Sequence, residues 1–169
     1  MNQGLLILGA GQFGRMVKEL AIEMGCFDAI DFLDDNCAAA IGKIEDYKKL
    51  AEKYKYATVA IGEPTLRLQL IAELEKAGFD VCAIVSPRAY VSESAKLESG
   101  VIVEPNATVQ TGAELGKGVI VSSGAVVRHN ARVGKGCHLD CNSVVASTAS
   151  LPPNTKLEFF EAYKSEENV

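Results

Sequence analysis

Side chains suited to proton transfer near neutral pH are few in this chain of 169 residues: it has two histidines, His129 and His138, nine residues apart. Imidazole titrates close to neutrality, so either ring could act as a general base toward a hydroxyl or an amine. A second chemical signal stands near the N-terminus. Gly9, Gly11 and Gly14 form G-x-G-x-x-G between an apolar run and a helix-like segment, and Asp34 follows twenty residues after Gly14. Glycines at this spacing let a backbone approach a diphosphate at the positive end of a helix, and an acid beyond them can accept from a ribose hydroxyl. Alone, the pattern spells a nicotinamide cofactor. The segment that carries it is only about 85 residues long, room for one mononucleotide-sized half. A tight strand–helix turn with no ligand is the plainer alternative. Of the five cysteines (Cys26, Cys37, Cys82, Cys137 and Cys141), two stand close to His138. Their spacing matches no common zinc pattern and a fourth ligand is missing, so no metal is expected and the thiols read as small buried groups. An odd, dispersed set also argues against a disulfide framework.

Two textures position these residues. Up to about residue 85, strand-like and helix-like segments alternate. Leu5-Leu6-Ile7-Leu8 is the continuous apolar run of a strand covered on both faces. Residues 12–24 follow with Phe13, Val17, Leu20, Ala21 and Met24 on one stripe, closed by Gly25. Further strands are expected at 29–33, 57–61 and 79–85, and helices at 45–55 and from Pro64 to about Lys76. This alternation predicts a small parallel sheet with helices on both faces.

From Ala89 the helical period vanishes and a period of six replaces it. In twelve successive blocks of six the third residue is always aliphatic, from Val91 to Leu157, although Ile, Leu and Val make up only 41 of the 169 residues. Chance would produce that run well below roughly one time in a million. The sixth residue is Gly or Asn in nine blocks, Gly100, Asn106, Gly112 and Asn130 among them. Side chains alternate along a strand, so the first and third residues face inward, while Gly and Asn accept the positive φ of a corner. Three faces of six make a coil of eighteen residues, and twelve blocks make four coils, a prism about 19 Å tall.

Composition narrows the function classes. The chain is 48% hydrophobic and 23% charged, which is ordinary globular usage, and its formal net charge is −5. A general polyanion binder needs a basic face, so no nucleic-acid partner is expected. The longest apolar runs fall far short of a bilayer crossing and the N-terminus lacks a basic flank and cleavage site, so neither membrane insertion nor secretion is expected and the compartment reads as cytoplasmic.

The hexapeptide repeat is the signature of left-handed parallel β-helices, and the whole chain resembles the NeuD/PglD-like family of sugar O- and N-acetyltransferases. The resemblance rests on Leu8-Gly9-Ala10-Gly11-Gln12-Phe13-Gly14, on Phe32-Leu33-Asp34-Asp35, on Ala60-Ile61-Gly62 followed by Arg67, and on Val127-Arg128-His129-Asn130 with Gly134-Lys135-Gly136-Cys137-His138. It implies a Rossmann-like nucleotide-sugar-binding domain over residues 1–86, a left-handed β-helix acyltransferase domain over 87–158 and a C-terminal tail over 159–169. It also implies that Gly9, Gly11, Gln12, Phe13, Gly14, Asp34, Asp35, Gly62 and Arg67 bind a nucleotide-linked sugar. His129 then takes the proton from the acceptor, the next residue orients it, and His138 lies near the acetyl group of acetyl-coenzyme A in a cleft between subunits of a homotrimer. Two departures stand out. Gln12-Phe13 replaces the Gly-His usual in the family, and Asn130 replaces the acid that orients the base. The repeats end at about Leu157, earlier than is usual in the family, and Phe159, Phe160 and Tyr163 are expected to cap the open end. Three readings follow: an acetyltransferase acting on an amino or hydroxyl group of a nucleotide-activated sugar, a non-catalytic relative that binds a sugar nucleotide or serves as a scaffold in a surface-glycan pathway, and a nicotinamide-dependent oxidoreductase.

Overall fold

The structure, a computed structural model, describes residues 3–165; residues 1–2 and 166–169, at the outer ends of the first domain and the tail expected from the sequence, lie outside the described residues. Strands β1 (Gly4–Leu8), β2 (Ala29–Leu33), β3 (Tyr56–Val59) and β4 (Asp80–Val81) form one parallel sheet in the order β2-β1-β3-β4. Helix α1 (Gln12–Met24) follows β1, the four-residue α2 (Tyr47–Leu50) precedes β3, and α3 (Pro64–Lys76) follows it. The central strand β1 is buried throughout and divides its side chains between two cores. Leu5 and Ile7 pack with Val17, Leu20 and Ala21 of α1, whereas Leu6 and Leu8 pack with Leu70, Ile71 and Leu74 of α3. This is why the run is apolar without alternation. The helix expected over 45–55 is shorter than its spacing suggested. A 3-10 turn over Ile44–Asp46 precedes α2, and beyond Leu50 the buried Tyr54 turns its hydroxyl to donate to Asp31 Oδ2 at 2.5 Å.

Among the described residues the second half consists of fourteen two-residue strands in three parallel sheets. The first face stacks Ile84–Val85, Ile102–Val103, Ile120–Val121, His138–Leu139 and Lys156–Leu157. The second runs from Tyr90–Val91 through Val126–Val127 to Ala162–Tyr163, and the third from Lys96–Leu97 through Arg132–Val133 to Ser150–Leu151. Registers shift by eighteen residues per layer, as in Ile120 beside His138. Stacked parallel sheets of this kind are consistent with the expected left-handed β-helix. First and third residues of the blocks fill the interior, where Ala107, Val109, Ala113, Leu115, Cys137 and Leu139 are all buried. Sixth residues turn the corners with φ between +57° and +73°, whether Asn130, Asn142 and Asn154 or Gly100, Gly118 and Gly136.

The coil begins and ends outside the limits read from the repeats. The run expected as a single strand over 79–85 divides, because Val81 pairs with Ala57 while Ile84 already pairs with Ile102. At the other end Tyr163 pairs with Val145 and packs onto the coil interior. The expected cap of three aromatic rings is therefore reduced to Tyr163. Phe159 and Phe160 are 60% and 77% exposed, since Phe160 stands at a sixth position (φ +61°) whose side chain points outward.

The two halves share a buried seam. On the first face the outward residues Ile84, Ile102 and Ile120 are at most 1% exposed, and the first two belong to the core built on α1. Each buried isoleucine of this kind contributes about 1.5–3 kcal/mol. Helix α3 covers the adjoining corner, where Ile71 and Leu68 lie against Gly100, Gly118 and Gly136. Among the described residues no helix is long and apolar enough to cross a membrane.

Candidate active site

The glycine loop joins β1 to α1 at the carboxyl edge of the sheet, where the order reverses between β1 and β3, and crevices of this kind hold ligands in open α/β sheets. Gly9 (φ +103°) donates to Leu33 O at 2.8 Å, and a Cβ there would stand 2.6 Å from Ala60 O. A Cβ on Gly14 would stand 2.1 Å from Gly9 O, so these two glycines are demanded by packing. Gly11 differs: it is exposed, caps α1 with no side-chain bond, and a Cβ added to it would meet no atom within 4 Å. Its position leaves the first-turn N–H groups of α1 facing the crevice, at the positive end of the helix dipole. Gln12 beside it is exposed, while Phe13 turns back to pack on the α1 core.

The two acids beyond β2 are tied to the backbone. Asp34 accepts from Ala10 N–H and from Asn36 N–H, both at 2.8 Å, and these bonds, Ala10 first, hold its carboxyl below the usual range. Asp34 thus braces the glycine loop, with lone pairs left over for a hydroxyl donor. Asp35 is exposed and accepts from Ile44 N–H at 3.0 Å. It lines a cleft of about 400 Å³ with Lys43, Tyr47, Lys48 and Glu73.

Arg67 does not reach a ligand surface, contrary to the role the resemblance implied. It is 0% exposed, and its guanidinium is spent on four carbonyls. Nε donates to Gly118 O, Nη1 to Ile61 O and Gly62 O, and Nη2 to Gly136 O, each at 2.8 Å. Gly62 itself is exposed on the crevice side of this cluster, in the turn between β3 and α3.

The histidines stand at opposite ends of the third face. His129 is exposed in the corner turn between Val126–Val127 and Arg132–Val133, with its backbone N–H donating to Gln110 Oε1 at 3.0 Å. His138 opens the next strand of the first face, half-buried at the edge of the isoleucine strip. Its Nε2 lies 3.0 Å from Ser122 Oγ, and burial, foremost, pulls its pKa below the ordinary histidine value. The ring is therefore neutral near pH 7. The six residues of the third face lie between the two rings, about 20 Å of extended chain.

Asn130, expected to orient His129, occupies a corner (φ +57°) with its Oδ1 against Gly112. Asn142 lies in the same way against Gly124 and Asn154 against Gly136, where no histidine is adjacent, so the corner alone accounts for the asparagine. Ser122 belongs to no motif in the sequence. The eighteen-residue period is the signal that finds it, because it puts Ser122 in line with Asp140, two residues past His138. Alternation also divides the cysteine–histidine group: Cys137 points into the coil and donates to Pro152 O at 3.0 Å, while His138 points out. No group of three or more His, Cys, Asp or Glu side chains suited to a metal ion occurs among the described residues.

A sheet crevice with an open helix N-terminus, joined through a buried seam to a hexapeptide coil bearing outward imidazoles, defines a hexapeptide-repeat acyltransferase. Similarity to known proteins points the same way. Residues 4–74 match the family model for the PglD N-terminal domain, and residues 94–129 match that for the bacterial transferase hexapeptide of six repeats. Both matches fall on families found among the NeuD/PglD-like sugar acetyltransferases, which the chain resembles. Among solved structures it is similar to the acetyltransferase domain of PglB from Neisseria gonorrhoeae, with a TM-score of 0.79 and 26% identity over 95% of this chain and 93% of that one. It shares its fold with a variant of perosamine N-acetyltransferase from Caulobacter crescentus solved with CoA and GDP-perosamine, at a TM-score of 0.72 and 20% identity over 94% and 90% of the two chains. WeeI from Acinetobacter baumannii also shares it, at 0.59 and 18% over 90% and 94%. No curated protein sequence matches the chain.

Proposed function

We propose that the protein transfers acetyl from acetyl-coenzyme A to an amino or hydroxyl group of a nucleotide-activated sugar, as a homotrimer, with His129 as general base. The observation that carries this reading is the placement of the crevice. A diphosphate held at Gly9, Gly11 and the α1 N-terminus would leave its sugar at the carboxyl edge of the sheet, and that edge is bonded through Arg67 to the coil that carries His138. The PglB acetyltransferase domain of Neisseria gonorrhoeae has been solved with acetyl coenzyme A and the Caulobacter enzyme with CoA and GDP-perosamine, which supports the same two substrates here.

Acetyl-coenzyme A finds a surface of suitable chemistry on the third face. Gly116 and Gly134 line an open groove of about 640 Å³ between the two histidine corners, rimmed by Lys96, Arg132 and Lys135 together with Glu98 and Glu114. The groove is open enough for a linear arm, and its cations, two of them paired with Glu114, give phosphates a partner. When bound, the coenzyme supplies the thioester carbon that the acceptor attacks.

The separation of the histidines supports a site shared between copies. On one chain the two rings stand at opposite corners of the third face. The second face offers the contact: its outward row, Thr108, Val126 and Val144, is apolar or neutral and half-covered, whereas the third face carries the Lys96–Glu114–Arg132 ion pairs. His129 stands at the edge of that second face. In the trimer His129 of one copy then meets the crevice and His138 of the next.

Subunit mixing tests the whole reading. His129→Ala and His138→Ala should each release almost no coenzyme A thiol from acetyl-coenzyme A and a panel of amino-sugar nucleotides. Co-refolded in equal amounts, random assortment restores both rings in about a quarter of the sites of a cyclic trimer. Recovery of activity to that order is expected. Mixed oligomers that stay inactive, or a monomer in sedimentation, would refute the shared site, and wild-type protein that binds no acetyl-coenzyme A in calorimetry would refute the transferase reading.

A further inference from the structure

Arg67 is the one fully buried arginine side chain among the described residues, and no carboxylate bonds it. Taking a guanidinium out of water costs several kcal/mol unless its donors are satisfied. Here four backbone carbonyls from two halves of the molecule satisfy it. Ile61 and Gly62 form the wall of the crevice immediately after β3. Gly118 and Gly136 turn the same corner of the coil in successive layers, with φ of +62° and +73°. Gly136 is two residues before His138, and Glu63, the nearest acid in sequence, is occupied as the cap of α3 through Thr65 N–H and Leu66 N–H. A methionine or leucine would fill this space but leave the four carbonyls without these donors, so hydrogen bonding and not packing calls for arginine.

We propose that Arg67 is a positioning residue for acyl transfer, its guanidinium fixing the wall of the crevice against the coil layer that presents His138. The proposal rests on the acetyltransferase reading above. Arg67 acts in two ways. Its planar fork spans Gly62 O and Gly136 O, which a single ammonium cannot reproduce for four carbonyls. Its charge also faces the imidazole. The groups around His138 are Asp140 and Glu158, which favour the protonated ring, Arg67 and Lys156, which oppose it, and Ser122, which bonds Nε2. Arg67 thus helps keep the ring neutral and able to accept a proton or bond a neutral partner.

With two histidines in the chain, NMR of 13C-labelled histidine reads His138 directly, and His129→Gln assigns the pair. In Arg67→Met the midpoint of His138 should move up, because an opposing positive charge is gone. In Arg67→Lys it should stay near the wild-type value, while kcat/KM falls about a hundredfold, the scale of a misplacement of about 1 Å. Should Arg67→Met fail to fold, the wild-type protein serves: the Arg67 Nε resonance should shift with pH at the His138 midpoint, and His138→Gln should abolish that step. A folded Arg67→Met with an unmoved His138 midpoint, or an Arg67 Nε resonance flat through the His138 titration, overturns the proposal. An inactive wild-type protein in which the resonances still move together would instead refute the acetyltransferase reading and leave the coupling of Arg67 to His138 intact.

Discussion

Two glycines three residues apart, one capping α1 and one in its first turn, should respond oppositely to the same methyl group. In Gly14→Ala the new Cβ would lie 2.1 Å from Gly9 O and 2.8 Å from Gly9 C, backbone atoms that have no rotamer with which to move aside. Restoring van der Waals contact needs about 1 Å of displacement between α1 and the loop, and overpacking of that kind costs typically 1–3 kcal/mol or more. Alanine in a helix gives back up to about 1 kcal/mol relative to glycine. Gly9 is itself tied to Leu33 and pressed against Ala60, so the strain spreads into β2 and β3. We expect a net loss of about 2–3 kcal/mol, a fall in Tm of about 4–12 °C for a chain of this size. In Gly11→Ala nothing lies within 4 Å of the added methyl and φ is −66°, which alanine adopts freely. Only the weaker helix cap is lost, at most about 1 kcal/mol. That methyl would nevertheless stand over the N–H groups offered to a diphosphate, so affinity for a nucleotide sugar should fall tenfold or more, at about 1.4 kcal/mol for each tenfold step. Thermal unfolding by circular dichroism and titration calorimetry read the two effects separately. A Gly14→Ala protein as stable as wild type would refute the packing account. A Gly11→Ala protein that binds nucleotide sugars unchanged would remove the diphosphate from this loop.

Two further outcomes are expected. Phe160 is 77% exposed at φ +61°, a conformation that costs a bulky side chain about 1–2 kcal/mol and an asparagine less, so Phe160→Asn should raise Tm by a few degrees in the same unfolding assay. If Asn130 serves only its corner, Asn130→Gly should leave kcat within about threefold of wild type in the thiol-release assay; a loss of a hundredfold, the scale of a general-base step, would return it to the chemistry of His129.

Much of the architecture is legible in the sequence because two of its signals are periodic. A strand covered on both faces must be apolar at every position, as β1 is, and a coil of eighteen residues must repeat its inward aliphatics every six, as Val109, Leu115 and Val121 do. Positive φ at the corners explains why glycine and asparagine recur there. Those demands are local, arising from side-chain alternation and backbone sterics, so composition and spacing record them.

What the sequence alone does not decide concerns residues whose duty depends on a distant neighbour. Arg67 follows the crevice and so reads as a ligand contact, yet it meets Gly118 and Gly136, which lie 51 and 69 positions away. Asn130 stands beside a histidine and so resembles its partner, whereas the layer beneath it supplies the reason for an amide. Ser122 carries no motif and becomes visible only when one coil is laid on the next. His129 and His138 are nine residues apart in the chain and a whole face apart in space, so a pair that reads as one site along the sequence is divided by the fold. Hydrophobic patterning fixes which way each residue points, but long-range packing alone fixes what it points at.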